Sequence, residues 1–134
     1  MNRFQQLGLG MLGLLFVAYA NAQSVDFIEP RDGDTLPTTF TLKFKVDGMP
    51  LAPASDKREG VGHFHVLIDA RDIEPGYVIP NDNQHKHFDK GQTESLMFLQ
   101  PGKYKLTLQF ADSRHRSYGE KMRKTINITV AGEK

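Results

Sequence analysis

Residues 39–46, Thr-Phe-Thr-Leu-Lys-Phe-Lys-Val, alternate without a break, so Phe40, Leu42, Phe44 and Val46 share one side of an extended chain and polar groups the other. A period of two fits a half-buried strand and excludes an amphipathic helix there. The rhythm recurs. Residues 25–28 form a short apolar run, and residues 61–69 set Phe64, Val66 and Ile68 against His63, His65 and Leu67. Residues 93–99 read as another strand, and 103–110 carry Tyr104, Leu106, Leu108 and Phe110 in phase. Residues 122–130 do the same with Ile126, Ile128 and Val130. Gly, Pro and Asp clusters punctuate these runs at 30–34, 47–50, 75–76, 80–83 and 100–102. Residues 77–79 have room for a brief edge pairing. Six or seven strands spaced by turns, with no helical pattern of useful length, predict an all-β, immunoglobulin-like antiparallel β-sandwich of about seven strands. The run Leu-Gln-Pro-Gly-Lys-Tyr at 99–104 marks Tyr104 as the tyrosine whose hydroxyl ties back to the preceding loop in such sandwiches.

The first 22 residues read differently. Arg3 precedes an apolar run over 7–20, which ends in the small-x-small pattern Ala20-Asn21-Ala22. That is the layout of a signal peptide over 1–22, leaving a single sandwich domain over 23–134 and a periplasmic location. An apolar run of about 14 residues is short for a membrane span, and no second such run follows, so no span is expected in the mature chain. Removing Arg3 from 17 Lys plus Arg leaves 16 basic residues against 16 Asp plus Glu. A neutral product lacks the general basic field that draws nucleic acid, and nucleic-acid binding drops out as an expectation. The sequence has no Cys, which removes disulfide scaffolds, thiol chemistry and every Cys-containing zinc motif.

Histidine is the residue type left to carry chemistry. Four of the five His stand in two His-x-His pairs, His63 with His65 and His85 with His87, and His115 follows alone. Residues two apart on a strand point to one side about 6.6 to 6.8 Å apart, so both rings of a pair can converge on one ion. Phe64, facing the core, would set His63 and His65 on the opposite, more accessible face. Neutral imidazole suits zinc, copper and nickel. The expected ligands are therefore His63, His65, His85, His87 and His115, and the expected cofactor is a copper or zinc ion. Affinity should fall as protons compete for the same lone pairs. Asp82, Asp89 and Glu94 border the second pair as candidates for orienting its rings, and Met49 is a possible thioether ligand. Arg114 and Arg116 oppose a cation beside His115. The competing reading is a metal-free cluster in which each ring clamps a loop through hydrogen bonds.

Hydrolase signatures are missing: there is no Gly-x-Ser-x-Gly elbow, no His-Glu-x-x-His, no phosphate-cradling loop and no dinucleotide fingerprint. The leading expectation is a non-enzymatic binding module for a metal ion, with a periplasmic protein as a possible partner. The alternatives are a metal-free envelope interaction domain and a copper-dependent oxidoreductase.

Residues 25–33, 40–48, 60–69, 85–94 and 99–106 together resemble the exported bacterial family named domain of unknown function 4399 (DUF4399). The most specific blocks are Gly-Val-Gly-His-Phe-His-Val-Leu-Ile-Asp at 60–69, read from Gly60, and His-Lys-His-Phe-Asp-Lys-Gly-Gln-Thr-Glu at 85–94. The resemblance implies a secreted or periplasmic domain and assigns no activity. Phe64 and Asp89 stand where that family's pattern often has His and Gly.

Overall fold

Alternation becomes strand at each of the expected places, and the apolar side of each strand turns inward. The computed structural model describes residues 22–132; nearly all of the expected signal segment lies outside the described residues. The strands are β1 (Ser24–Glu29), β2 (Thr35–Leu36), β3 (Thr39–Asp47), β4 (His63–Ile68), β5 (His85–His87), β6 (Glu94–Phe98), β7 (Gly102–Ala111) and β8 (Arg123–Val130). They form two sheets, ordered β1-β3-β6 and β2-β8-β7-β4-β5. This is an all-β sandwich of immunoglobulin-like architecture.

Phe27, Phe40, Leu42, Phe44 and Met97 from the smaller sheet meet Phe64, Val66, Leu106, Leu108, Phe110, Ile126, Ile128 and Val130 from the larger. Phe44 sits at the middle, its ring centroid 5.0 Å from that of Phe64 and 5.2 Å from that of Phe88. Tyr104 closes the expected corner: its hydroxyl donates to the Gln100 carbonyl at 2.7 Å.

Two features refine the sequence expectation. Among the described residues there are eight strands, close to the expected seven, the two-residue β2 and the three-residue β5 being too short for alternation to reveal. The sandwich is also not wholly antiparallel, since β2 runs parallel to β8, pairing Thr35 with Thr129 and Leu36 with Val130. The turn at Arg31–Asp34 brings this about. Gly33 adopts φ +86° and its N–H donates to the Asn127 carbonyl, while the Asp32 carboxylate accepts from the Asn127 N–H, so the turn lies beside β8. Val78 makes the expected brief pairing, an isolated bridge to Arg116.

The connection from β4 to β5, residues 69–84, crosses the outer face of the larger sheet as a strap. Ile79 is buried there in a second apolar cluster with Leu67, Ala70 and Ala111. Three of the strap's ties are to β8 and to the segment just after β7. The Ile73 carbonyl accepts from Arg123 Nη2 and Ser117 Oγ, each at 2.8 Å, and the Gly76 N–H donates to the Ser117 carbonyl. Arg123 thereby serves as an internal clamp, its Nε also donating to Gln109 Oε1 at 2.9 Å. No helix among the described residues is long and apolar enough to cross a membrane.

Candidate metal centre

β4 carries His63 and His65, and pairing with β7 sets them opposite Ala111 and Gln109. Gly62 fixes where the strand begins: a Cβ there would lie 2.6 Å from the Ala111 carbonyl oxygen and from the Phe110 ring. β5 adds His87 directly across from His65. Phe88 then turns inward against Phe44, and its N–H donates to the Phe64 carbonyl. Strand alternation therefore returns Asp89 to the His87 side, where the Asp89 carbonyl is held by the Ala54 N–H at 2.7 Å.

His115 arrives from the β7–β8 connection. Its φ of 62° is left-handed, a conformation uncommon outside Gly. Asp112 supports it: one carboxylate oxygen accepts from the N–H groups of Arg114 and Arg116, and the other accepts from Arg116 Nε at 2.8 Å. Burial alone would raise the Asp112 carboxyl, but these donors outweigh it and hold it below the usual carboxylate range. The positive charge of Arg116 is thus answered locally, which weakens the objection that it repels a cation at His115.

The ring nitrogens converge. His63 Nε2 and His65 Nε2 each lie 3.2 Å from His115 Nδ1. Asp89 Oδ1 is 3.4 Å from His63 Nε2, 3.7 Å from His87 Nδ1 and 3.8 Å from His115 Nδ1. Ligand atoms of His63, His65, Asp89 and His115 all fall within 4.8 Å of one another. Four donors set tetrahedrally at zinc–nitrogen distances would be spaced about 3.3 to 3.4 Å apart. The observed spacings straddle that value, so the cluster is capable of coordinating a metal ion.

Hydrogen bonding among the imidazoles does not satisfy it, and the carboxylate oxygen nearest His63 Nε2, Asp89 Oδ1, is distant at 3.4 Å. A neutral imidazole has one N–H and one lone pair, so His115 Nδ1 can complete a bond with one of the two Nε2 atoms that face it. Among the described residues, the Nδ1 atoms of His63 and His65 are the buried side-chain nitrogens without any partner. They remain a cost in either state; an ion relieves the conflict at Nε2 only.

Both β4 histidines are fully buried, correcting the expectation of an accessible face: the rings of His87 and His115 and the Asp89 carboxylate lie against them. Burial, helped by the neighbouring His115, lowers His63 to about 4 against the pull of Asp89. Burial and then His63, His87 and His115 lower His65 to about 2. Both rings are neutral near pH 7, the form that binds metal. The open side is formed by Asp89, half exposed, and His115, about a quarter exposed.

The other expected residues divide. His87 stands beside the cluster, its ring centroid 4.5 Å from that of His65 and 4.7 Å from that of His115. Its Nε2–H donates to the Pro80 carbonyl at 2.6 Å, which leaves the Nδ1 lone pair toward Asp89. His85 lies outside the converging set: its Nδ1 is bound to Asp82 Oδ1 at 2.6 Å, and this bond holds the Asp82 carboxyl below its ordinary value. Met49, Met97 and Met122 pack in or against the main core, leaving a set of nitrogen and oxygen donors. Asp89 was legible only as a neighbour of the second pair.

A two-sheet β-sandwich bearing a buried His/Asp cluster that can hold a metal ion is the class these features define. Residues 42–131 match the family described as Domain of unknown function (DUF4399), and the chain belongs to it. No curated protein matches. Among solved structures, the endo-β-1,4-mannanase from Thermotoga petrophila matches at 15% identity and a TM-score of 0.50, over 87% of this chain and 21% of its own. Fibronectin(III)-like modules of Clostridium thermocellum CbhA match at 10% identity and a TM-score of 0.48, over 84% of this chain and 48% of theirs. The chain thus spans about a fifth and about half of these two. At such identity the mannanase match shows a shared fold alone.

Proposed function

We propose that this protein is an exported, periplasmic module that binds or delivers a single divalent copper or zinc ion. His63 Nε2, His65 Nε2, His115 Nδ1 and Asp89 are its donors, and His87 stands beside them as a further nitrogen. One observation carries the reading: two fully buried ring nitrogens face the same third nitrogen, each at 3.2 Å, and that nitrogen can bond only one of them. A shared cation accepts all three lone pairs at once. Three imidazoles and a carboxylate, without thiolate or thioether, suit Zn(II) or Cu(II) better than Cu(I).

Isothermal titration of the metal-free protein with Zn(II) and Cu(II) tests it. One ion per chain near pH 7 is the expected result; millimolar-weak binding there rejects the site.

A second reading is favoured by two contacts. His85 to Asp82 and His87 to the Pro80 carbonyl are the bonds expected of loop clamps in a metal-free envelope interaction domain. In that case replacing His63 and His65 by Ala would unfold the chain and leave metal response unchanged.

A further inference from the structure

The strap beside the site is attached in two ways. Its first half is clasped at Ile73, by Arg123 and Ser117, and at Gly76, by the Ser117 carbonyl; none of these groups is a candidate donor. Its second half touches the metal centre directly. The Ile79 N–H donates to the carbonyl of His115 at 2.8 Å, and the next carbonyl, that of Pro80, accepts from the His87 ring at 2.6 Å. Ile79 itself is 1% exposed and offers no donor atom. Two consecutive strap residues therefore hold the backbone of one candidate ligand and the ring of the histidine beside the site.

We infer that residues Ile79 and Pro80 form a latch coupled to metal occupancy, so that the ion closes the second half of the strap and the closed strap in turn raises affinity for the ion. His115 is the mobile donor in this scheme. It sits on a loop in a left-handed conformation, whereas His63 and His65 are carried on β4 and paired to β7. An ion that draws His115 Nδ1 toward the two Nε2 atoms holds its carbonyl in place for the Ile79 N–H. Opening of the latch frees His115 to swing away, and the ion with it. Coupling of this kind is reciprocal: whatever factor the ion contributes to latch closure, the latch contributes to ion binding. On the outer side the same segment carries Tyr77 and Val78, 69% and 60% exposed, so occupancy would be transmitted to an apolar stretch of surface.

This inference rests on the metal reading, and the experiment separates the two. Amide exchange is followed residue by residue by NMR, without metal and with Zn(II) at about 100 times its Kd. If opening the latch requires losing the ion, exchange at Ile79 slows by about 100-fold under those conditions, while Asp69, at the start of the strap with its N–H on the Lys105 carbonyl of β7, changes by less than about threefold. Titration with Zn(II) is run alongside on Ile79→Ala and on Val130→Ala, a core truncation on the remote end of β8. Ile79→Ala should weaken zinc about tenfold and Val130→Ala leave it unchanged; should Ile79→Ala fail to fold, Ile79→Val takes its place with a smaller shift of the same sign. Intact zinc binding with unaltered exchange at Ile79, or with Ile79→Ala behaving as Val130→Ala does, overturns the latch alone. No zinc binding by the unmodified chain overturns the latch and the metal reading together.

Discussion

The two faces of β4 are equally buried and obey different rules. Phe64, Val66 and Ile68 enter the core between the sheets, where contact is non-directional and any well-packed apolar neighbour serves. On the other face Leu67 packs against Ile79 of the strap while His63 and His65 meet His87 and His115, and there each polar atom needs a particular partner. The inner face meets its requirement completely. The outer face leaves two Nδ1 atoms orphaned and sets two Nε2 atoms against one nitrogen. A strand can thus be ordinary fold on one side and a site on the other, and the unmet hydrogen bonds mark the site.

Truncation on each face should separate the two roles. His65→Ala should lower affinity for Zn(II) or Cu(II) by at least about 100-fold, since loss of a donor exceeds the 10- to 100-fold typical of losing a group that merely orients one. Phe64→Ala should cost about 3 to 5 kcal/mol of stability in a urea melt while the molecules still folded keep their affinity. Equal effects of the two variants on stability, with no difference in metal binding, would erase the distinction.

A shape-conserving change sharpens it. Replacing His65 by Leu removes an orphaned nitrogen from a fully buried position, so the metal-free variant should melt within about 1 kcal/mol of the parent, or above it, despite losing the ion. A loss of several kcal/mol in thermal denaturation would instead make His65 a clamp.

Of the two faces of β4, acid should act on the outer one and not on the inner. His63 is lowered to about 4 and His65 to about 2, both below the ~6.5 of an unfolded histidine. Between the folded and unfolded values the unfolded chain binds more protons, so stability rises with pH in that window. The contribution of these two rings is fully present above about pH 6.5 and declines as pH falls toward 4. Urea midpoints of the metal-free protein near pH 7.5, 5.5 and 4.5 should fall in that order, and the decline should shrink in a His63→Leu, His65→Leu double variant. The smallest effect belongs to the neighbouring pair: His85→Ala should lower the urea midpoint only slightly, through the lost Asp82 bond, and leave metal affinity unchanged.

Much of this molecule is legible in its alternation. Phe40 to Val46 and Tyr104 to Phe110 can be buried on one side only as strands, and the Pro-Gly turn before Tyr104 supplies the corner that its hydroxyl closes. The pairing of His63 with His65 is legible for the same reason. Their burial is not, because an alternating Phe/His run looks half-exposed until something covers the second face, and the short segments that do so with His87 and His115 have no periodicity to announce them. The contact of His65 with His87 depends on β5 docking beside β4, a choice made between residues 22 apart by a strand of three. Asp89 and His115 join through turns whose geometry is set by Phe88 and Asp112, each acting through its own contacts rather than through a motif. His85 shows the converse: the same His-x-His spacing, with one ring diverted by a nearby Asp82.

Crystals grown with equimolar Zn(II), measured on either side of the zinc absorption edge, test the shared-ion geometry most directly. A single anomalous peak among His63 Nε2, His65 Nε2, His115 Nδ1 and Asp89, at about 2.0 to 2.2 Å from each, is the result expected. Density elsewhere on the surface, or none between these side chains in excess zinc, would contradict it.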